Sequence, residues 1–204
     1  MKLQLFYPIK PFAITQGFGT NLYFDYTKIC SGGQCLIGHN GLDCIRGYVN
    51  GKYYETEGCY VRAAHDGIVA YAGVDGAEGY GIVLRTKEPY DYNGVPTYFK
   101  TIYWHMKPPF AVTVGDEVFV GDYLGEADNT GMSTGSHLHF GLKPIALGEN
   151  DWEIGNLEQK NGYFGAIDPL PYFNGKYAFD NYNNLVRMVE ALRAKIKALL
   201  QKMV

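Results

Sequence analysis

His137-Leu-His139 puts two imidazoles two residues apart. In an extended chain, residues i and i+2 face the same side, so both rings enter one space about 7 Å apart along the backbone. One such ring can hold a metal while its neighbour moves a proton. His39-Asn-Gly-Leu-Asp43 adds an imidazole and a carboxylate at i and i+4. These share a face in a strand or a helix, and the flanking Gly38 and Gly41 argue against a helix. With one histidine of the pair they make two imidazoles and one carboxylate. Catalytic zinc sites have three such protein ligands and leave the fourth position to water. His105, in Tyr103-Trp-His-Met106, ends a strand-like stretch. Singly, each signal also has a bland reading: two solvent-facing histidines, a chance His–Asp spacing, a packed histidine beside a tryptophan. Their weight lies in occurring together, because four of only five histidines fall in the pattern.

Short strands joined by tight turns must position these residues. Asn-Gly occurs at 40–41, 50–51, 93–94, 161–162 and 174–175, and Asp-Gly at 66–67 and 75–76. Such pairs tolerate the positive φ of hairpin turns. Between them lie runs rich in β-branched and aromatic residues: 67–72, 81–85, 97–104 and 117–120. Val-Gly-Asp brackets the last run on both sides, at 114–116 and 120–122. Strands this short and dense predict an antiparallel, mainly β core. The last twenty residues differ. Leu185, Val189, Leu192, Ile196, Leu199 and Met203 form a heptad seam, which predicts a helix over 184–203. It either packs on the domain or serves self-association or partner docking.

The chain has 204 residues and a net charge of −3. That length suits one domain with a small appendage, here 1–172 followed by a helical tail at 173–204. The balance of charge shows no footprint for nucleic acid. No apolar run reaches the roughly 20 residues of a membrane helix. The N-terminus lacks an apolar stretch followed by a small-residue cleavage site, so the chain as it stands shows no secretory signal. The expected place of action is extracellular or the cell wall, reached by a trimmed leader or by lysis, as phage enzymes do. Cys30, Cys35, Cys44 and Cys59 show no CxxC pair. Two disulfides are the preferred reading over free thiols, with the short loops Cys30–Cys35 and Cys44–Cys59 favoured.

The ordered pattern HxxxD, His, HxH resembles the lysostaphin/LytM-type cell-wall metallopeptidases, the M23 family. The likeness extends to Ile14-Thr-Gln-Gly-Phe-Gly19, to Val61-Arg-Ala-Ala-His-Asp-Gly-Ile-Val69 and to Gly79-Tyr-Gly81 before Ile-Val-Leu. It continues through the paired Val-Gly-Asp strings, Thr130-Gly-Met-Ser-Thr-Gly-Ser-His-Leu-His-Phe140 and Ile167-Asp-Pro-Leu-Pro171. It covers roughly residues 8–172. The resemblance implies a lysostaphin-like antiparallel sheet and one zinc ion held by His39, Asp43 and His139. It implies His105 and His137 as the catalytic pair and gives His65 no functional role. Residues 20–37, 46–57, 87–96 and 145–163 look like insertions, where substrate preference usually sits.

The implied reaction is metal-assisted hydrolysis of peptide bonds in peptidoglycan cross-bridges or stem peptides. Zinc would polarise the scissile carbonyl and make water a nucleophile near neutral pH. His105 and His137 would exchange protons or stabilise the oxyanion, in either order. The alternatives are a non-catalytic wall-binding or hydrolase-regulating module, and an autoinhibited precursor in which residues 20–37 cover the zinc.

Overall fold

The computed structural model describes residues 1–22, 24–148 and 153–180, with Val189, Arg193, Ile196 and Leu200 beyond them. Seventeen strands make up the described fold. They are β1 (Leu5–Tyr7), β2 (Ala13–Gln16), β3 (Cys30–Ser31), β4 (Gln34–Cys35), β5 (Leu42–Ile45), β6 (Gly47–Val49), β7 (Lys52–Tyr54), β8 (Tyr60–Arg62) and β9 (Gly67–Asp75). The rest are β10 (Gly79–Thr86), β11 (Tyr90–Tyr92), β12 (Val95–Lys107), β13 (Glu117–Val118), β14 (Tyr123–Ala127), β15 (Leu138–Leu147), β16 (Glu153–Asn156) and β17 (Phe173–Tyr177). The main sheet runs β13-β9-β10-β12-β15-β5-β2, and its pairs are antiparallel. The expected mainly β, antiparallel architecture is therefore present.

Side-chain alternation splits this sheet into two faces. Ile82 opposes Tyr103, which opposes Phe140, which opposes Leu42, and all four are buried. They pack with Leu84, Phe99, Leu138 and Leu142 into one core. The other face carries Val83, Ile102 and Trp104, and it forms the floor of the site described below.

Turn chemistry acts where the sequence placed it. Asn50-Gly51 and Asn93-Gly94 both have positive φ at the two central residues, at 52° and 76° and at 55° and 84°. They close the β6–β7 and β11–β12 hairpins as type I′ geometry requires. The repeated Val-Gly-Asp is a repeated loop. Asp116 accepts from the Thr113 N–H at 2.8 Å, and Asp122 accepts from the Phe119 N–H at 2.8 Å.

The inserted segments are mostly hairpins. Residues 20–37 contain β3–β4, residues 46–57 contain β6–β7, and β16 adds to the edge of β15. Cys30 and Cys35 are bonded and directly opposed across β3–β4. The second expected disulfide is absent: Cys44 and Cys59 are free thiols. Both belong to the hydrophobic core, where a thiol behaves as a small apolar side chain.

Phe173–Tyr177, expected to open a helical tail, is instead a strand parallel to β1. Aromatic packing holds it, with the Phe173 ring 5.0 Å from Tyr7 and 5.5 Å from Phe140. Most of the expected helix over 184–203 lies outside the described residues. The four described positions there are helical and exposed.

Candidate metal centre and groove

The centre is built on the register of three neighbouring strands. Asp43 on β5 directly opposes His139 on β15, and His139 in turn opposes Trp104 on β12. His39 lies in the turn before β5. Its N–H donates to the Thr20 carbonyl at 2.9 Å, and its carbonyl accepts from the Gly19 N–H at 2.8 Å. The turn after β2 therefore fixes where this histidine stands.

Three donor atoms converge. His39 Nε2 is 3.0 Å from His139 Nδ1 and 3.1 Å from Asp43 Oδ1, and His139 Nδ1 is 3.3 Å from the same oxygen. Ligand atoms of a four-coordinate zinc with bonds of about 2.0–2.1 Å stand ~3.3 Å apart, so the triangle fits that ion. The tautomer of His39 supports the same fit. The Gly17 carbonyl, 3.3 Å from Nδ1, takes the ring proton. Nε2 is then a lone pair facing a carboxylate and another imidazole. A cation shared by these three atoms would satisfy them together. Burial, the largest influence on His39, lowers its pKa and disfavours a proton in that role. A backbone carbonyl that orients a ligating imidazole is a common supporting contact in metal sites.

Gly41 makes room for this arrangement. A Cβ there would stand 2.7 Å from the His139 ring and 2.7 Å from the Phe140 carbonyl. Of the turn signals read from sequence, Asn40-Gly41 thus serves a close approach and not a positive φ.

His105 reaches the centre through an irregularity. Tyr80 opposes Met106 and Ile82 opposes Tyr103, so β12 carries one extra residue against β10. His105 has φ 61°, an uncommon left-handed conformation for a non-glycine residue. Bulges and such strain concentrate at active sites. Here the bulge brings the His105 ring to 4.5 Å from His137 and 6.1 Å from His139. The Thr130 carbonyl, 2.7 Å from Nδ1, orients it and leaves Nε2 available. The same loop orients His137, whose Nδ1 is 2.7 Å from the Gly135 carbonyl and 3.1 Å from Ser133 Oγ. Its Nε2 is 3.4 Å from Asp43 Oδ1.

These surroundings push the two rings apart electrically. Burial, then the neighbouring imidazoles of His139 and His137, push His105 down to about 4. For His137 burial acts downward too, but the hydrogen-bonded Asp43 carboxylate outweighs it and raises the pKa. Burial opposes ionisation of Asp43, yet the adjoining imidazoles of His137, His139 and His39 hold its carboxyl well below the usual range.

His65 stays out of the site. It is buried, with Nδ1 2.8 Å from the Asp66 carbonyl and Nε2 2.8 Å from Thr101 Oγ1. Among the described residues, the triad His39, Asp43 and His139 is the one group positioned to share a metal ion.

A cleft of about 400 Å³ leads away from His139 over the outer face of the sheet. Asn40, Tyr71, Ile102, Trp104, Lys100 and Lys143 line it. Trp104 packs against Gly81, where a Cβ would overlap the indole ring. Phe164, also on the cleft wall, has φ 51° and is the second bulky left-handed residue of this region. The sequence reading gave Tyr71, Lys100, Ile102 and Lys143 no functional role, and it gave Thr130, Ser133 and Gly135 no individual role. The Thr-Gly-x-Ser-Thr-Gly string held the second group in view. Tyr71, Lys100, Ile102 and Lys143 belong to no local motif.

Comparison with known proteins gives consistent matches. The pattern of peptidase family M23 matches residues 48–151. That span includes His105, His137 and His139 and begins after His39 and Asp43. Residues of the chain are 32% identical over 102 residues to a DD-carboxypeptidase/endopeptidase, Mpg, of Neisseria meningitidis serogroup B, covering 50% of this chain and 19% of that protein. They are 27% identical over 179 residues to the glycyl-glycine endopeptidase ALE-1 of Staphylococcus capitis, covering 86% of this chain and 42% of that protein. The chain thus spans less than half the length of these relatives. The fold is similar to that of Helicobacter pylori Csd3, with a TM-score of 0.51 and 22% identity, over 100% of this chain and 44% of that one.

Proposed function

This chain belongs to peptidase family M23, and from that premise we propose that it is a zinc-dependent endopeptidase of bacterial peptidoglycan, cutting cross-bridge or stem peptides. The observation that carries the proposal is the triangle of His39 Nε2, Asp43 Oδ1 and His139 Nδ1 with two further oriented imidazoles beside it.

His39, Asp43 and His139 hold the metal in this proposal. A zinc ion there supplies a Lewis acid that polarises a carbonyl and makes water a competent nucleophile near neutral pH. The protein's own groups handle the protons. His105, kept neutral by burial, presents Nε2 as a proton acceptor toward the attacking water. His137, held through Nδ1 by the Gly135 carbonyl, turns Nε2 to the same space, where it carries a proton to the leaving amine or to the developing oxyanion. The cleft over Ile102 and Trp104 accommodates an extended peptide whose scissile bond reaches His139. Similarity to two named endopeptidases supports the reaction class.

The test is twofold: a metal count on the purified chain, and mass spectrometry of peptides released from purified cell walls. One zinc per chain and chelator-sensitive release of cross-link fragments are expected. A chain that takes up no zinc under zinc-replete conditions and releases nothing would support the non-catalytic wall-binding reading.

A further inference from the structure

Thr130, in the loop before β15, stands at the point where β12 takes its extra residue. There Tyr80 on β10 is directly opposed to Met106 on β12. The Thr130 hydroxyl lies between the two. Its oxygen accepts from the Tyr80 N–H at 3.1 Å and donates to the Met106 carbonyl at 2.7 Å. A hydroxyl has one proton to give and lone pairs to receive with, so one group serves a backbone donor and a backbone acceptor together. A bulge disrupts the ladder around it. Backbone groups left there without partners are costly when buried.

The carbonyl of the same residue holds the imidazole that the bulge carries, 2.7 Å from His105 Nδ1. Thr130 therefore grips the bulge twice, by its backbone and by its ring. A third bond comes from two residues earlier, where the Asp128 N–H donates to the His105 carbonyl at 2.8 Å. The φ of 61° at His105 needs such over-determination, because a non-glycine residue does not favour it.

The loop also fixes Thr130 itself. Its neighbour Gly131 has φ 75°, and Gly79 across from it has φ 73°. A Cβ on Gly79 would stand 2.5 Å from the Gly131 nitrogen. The Met132 N–H donates to the Ala77 carbonyl at 2.6 Å. Two loops thus meet backbone to backbone beside Thr130, and both glycines are required for that approach.

We infer that Thr130 is a positioning residue for His105: its hydroxyl sets the bulge of β12, and through the carbonyl of the same residue it aims the ring at the space shared with His137 and His139. This rests on the peptidase reading above, in which His105 Nε2 accepts a proton from the attacking water. Thr130 touches no reacting atom. Its contribution is alignment, and a misplacement of about 1 Å can cost on the order of 10²-fold in rate.

The experiment compares zinc-loaded proteins in two ways. Proton NMR reads the His105 Nδ1–H, its signal identified by its loss in His105→Ala. The signal is expected in wild type and in Thr130→Ser, which keeps the hydroxyl, and shifted or lost to solvent exchange in Thr130→Val. Digestion of purified cell walls reads the consequence. Thr130→Val is expected to lower kcat by about 10- to 100-fold with KM little changed, and Thr130→Ser to recover most of that loss. Thr130→Ala removes the hydroxyl with a smaller side chain and is expected to repeat the pattern. In the His105→Ala background, Thr130→Val is expected to lower kcat no further.

A Thr130→Val protein with an unshifted ring signal and wild-type kcat would overturn the inference. So would an equal loss of kcat in the His105→Ala background, the mark of a general structural role. Absence of the Nδ1–H signal from wild type would overturn it without any variant. A wild type that releases nothing from walls would overturn the peptidase reading, and the ring signal would then decide by itself whether Thr130 holds His105.

Discussion

Asp43 and His139 are directly opposed residues on neighbouring antiparallel strands, 96 positions apart in sequence, with Oδ1 and Nδ1 3.3 Å apart. Sheet register, and not a loop, holds two of the three proposed ligands.

Asp43→Ala and His139→Ala are each expected to abolish stoichiometric zinc uptake, read by elemental analysis, and to remove hydrolysis with it. His137→Ala is expected to retain one zinc per chain while the rate falls by about 10²–10⁴, the usual worth of a positioned proton carrier. Loss of metal in that variant, or digestion at the wild-type rate, contradicts the assignment of roles.

Gly41→Ala tests the close approach. Its Cβ would stand 2.7 Å from both the His139 ring and the Phe140 carbonyl. Forcing it in should cost about 1–3 kcal/mol of stability and weaken zinc binding. Competition with a chromophoric chelator measures the second effect. Zinc affinity equal to wild type would show that the ring has room to move.

Metal removal should lower the melting temperature without dissolving the fold, because the core of Ile82, Tyr103, Phe140 and Leu42 lies on the opposite face of the sheet. With free zinc at 1,000 times its Kd, bound metal adds about 4 kcal/mol. Calorimetry with and without chelator reads this. A chain that loses its far-ultraviolet β signal on chelation would refute the separation of core and site.

His65 makes a distinct pH prediction. Burial lowers its pKa below the ordinary value of 6.5. The unfolded chain therefore takes up a proton below about pH 6.5 that the folded chain refuses. Stability from this group is complete above that pH and is lost as pH falls toward the lowered folded value. The drop in melting temperature between pH 7 and 5 should be shallower in His65→Gln than in wild type. Equal slopes would remove His65 from the acid response.

The free thiols give a direct check on the cysteine correction. Burial pushes Cys59 up to about 11 and Cys44 well above its ordinary value. Native protein should be inert to a thiol reagent at pH 8, and two thiols should react once it is unfolded without reductant. No reaction after unfolding would mean that Cys44 and Cys59 are bonded after all.

Much of this protein is local enough to be read directly. Asn50-Gly51 and Asn93-Gly94 closed the expected hairpins because a type I′ turn depends on two consecutive residues. His137 and His139 share a face because a strand alternates with a period of two. The types and order of the proposed ligands were legible for the same reason. Tertiary structure decided the rest. The His105 ring joins the others only because β12 carries one extra residue against β10, a property of two strands together. The cysteines divided into one disulfide and two core thiols according to what surrounds them. Local sequence sets which way each side chain points along its own strand. Which side chain stands opposite it depends on pairing between segments far apart in the chain, and burial of one whole face selects that pairing.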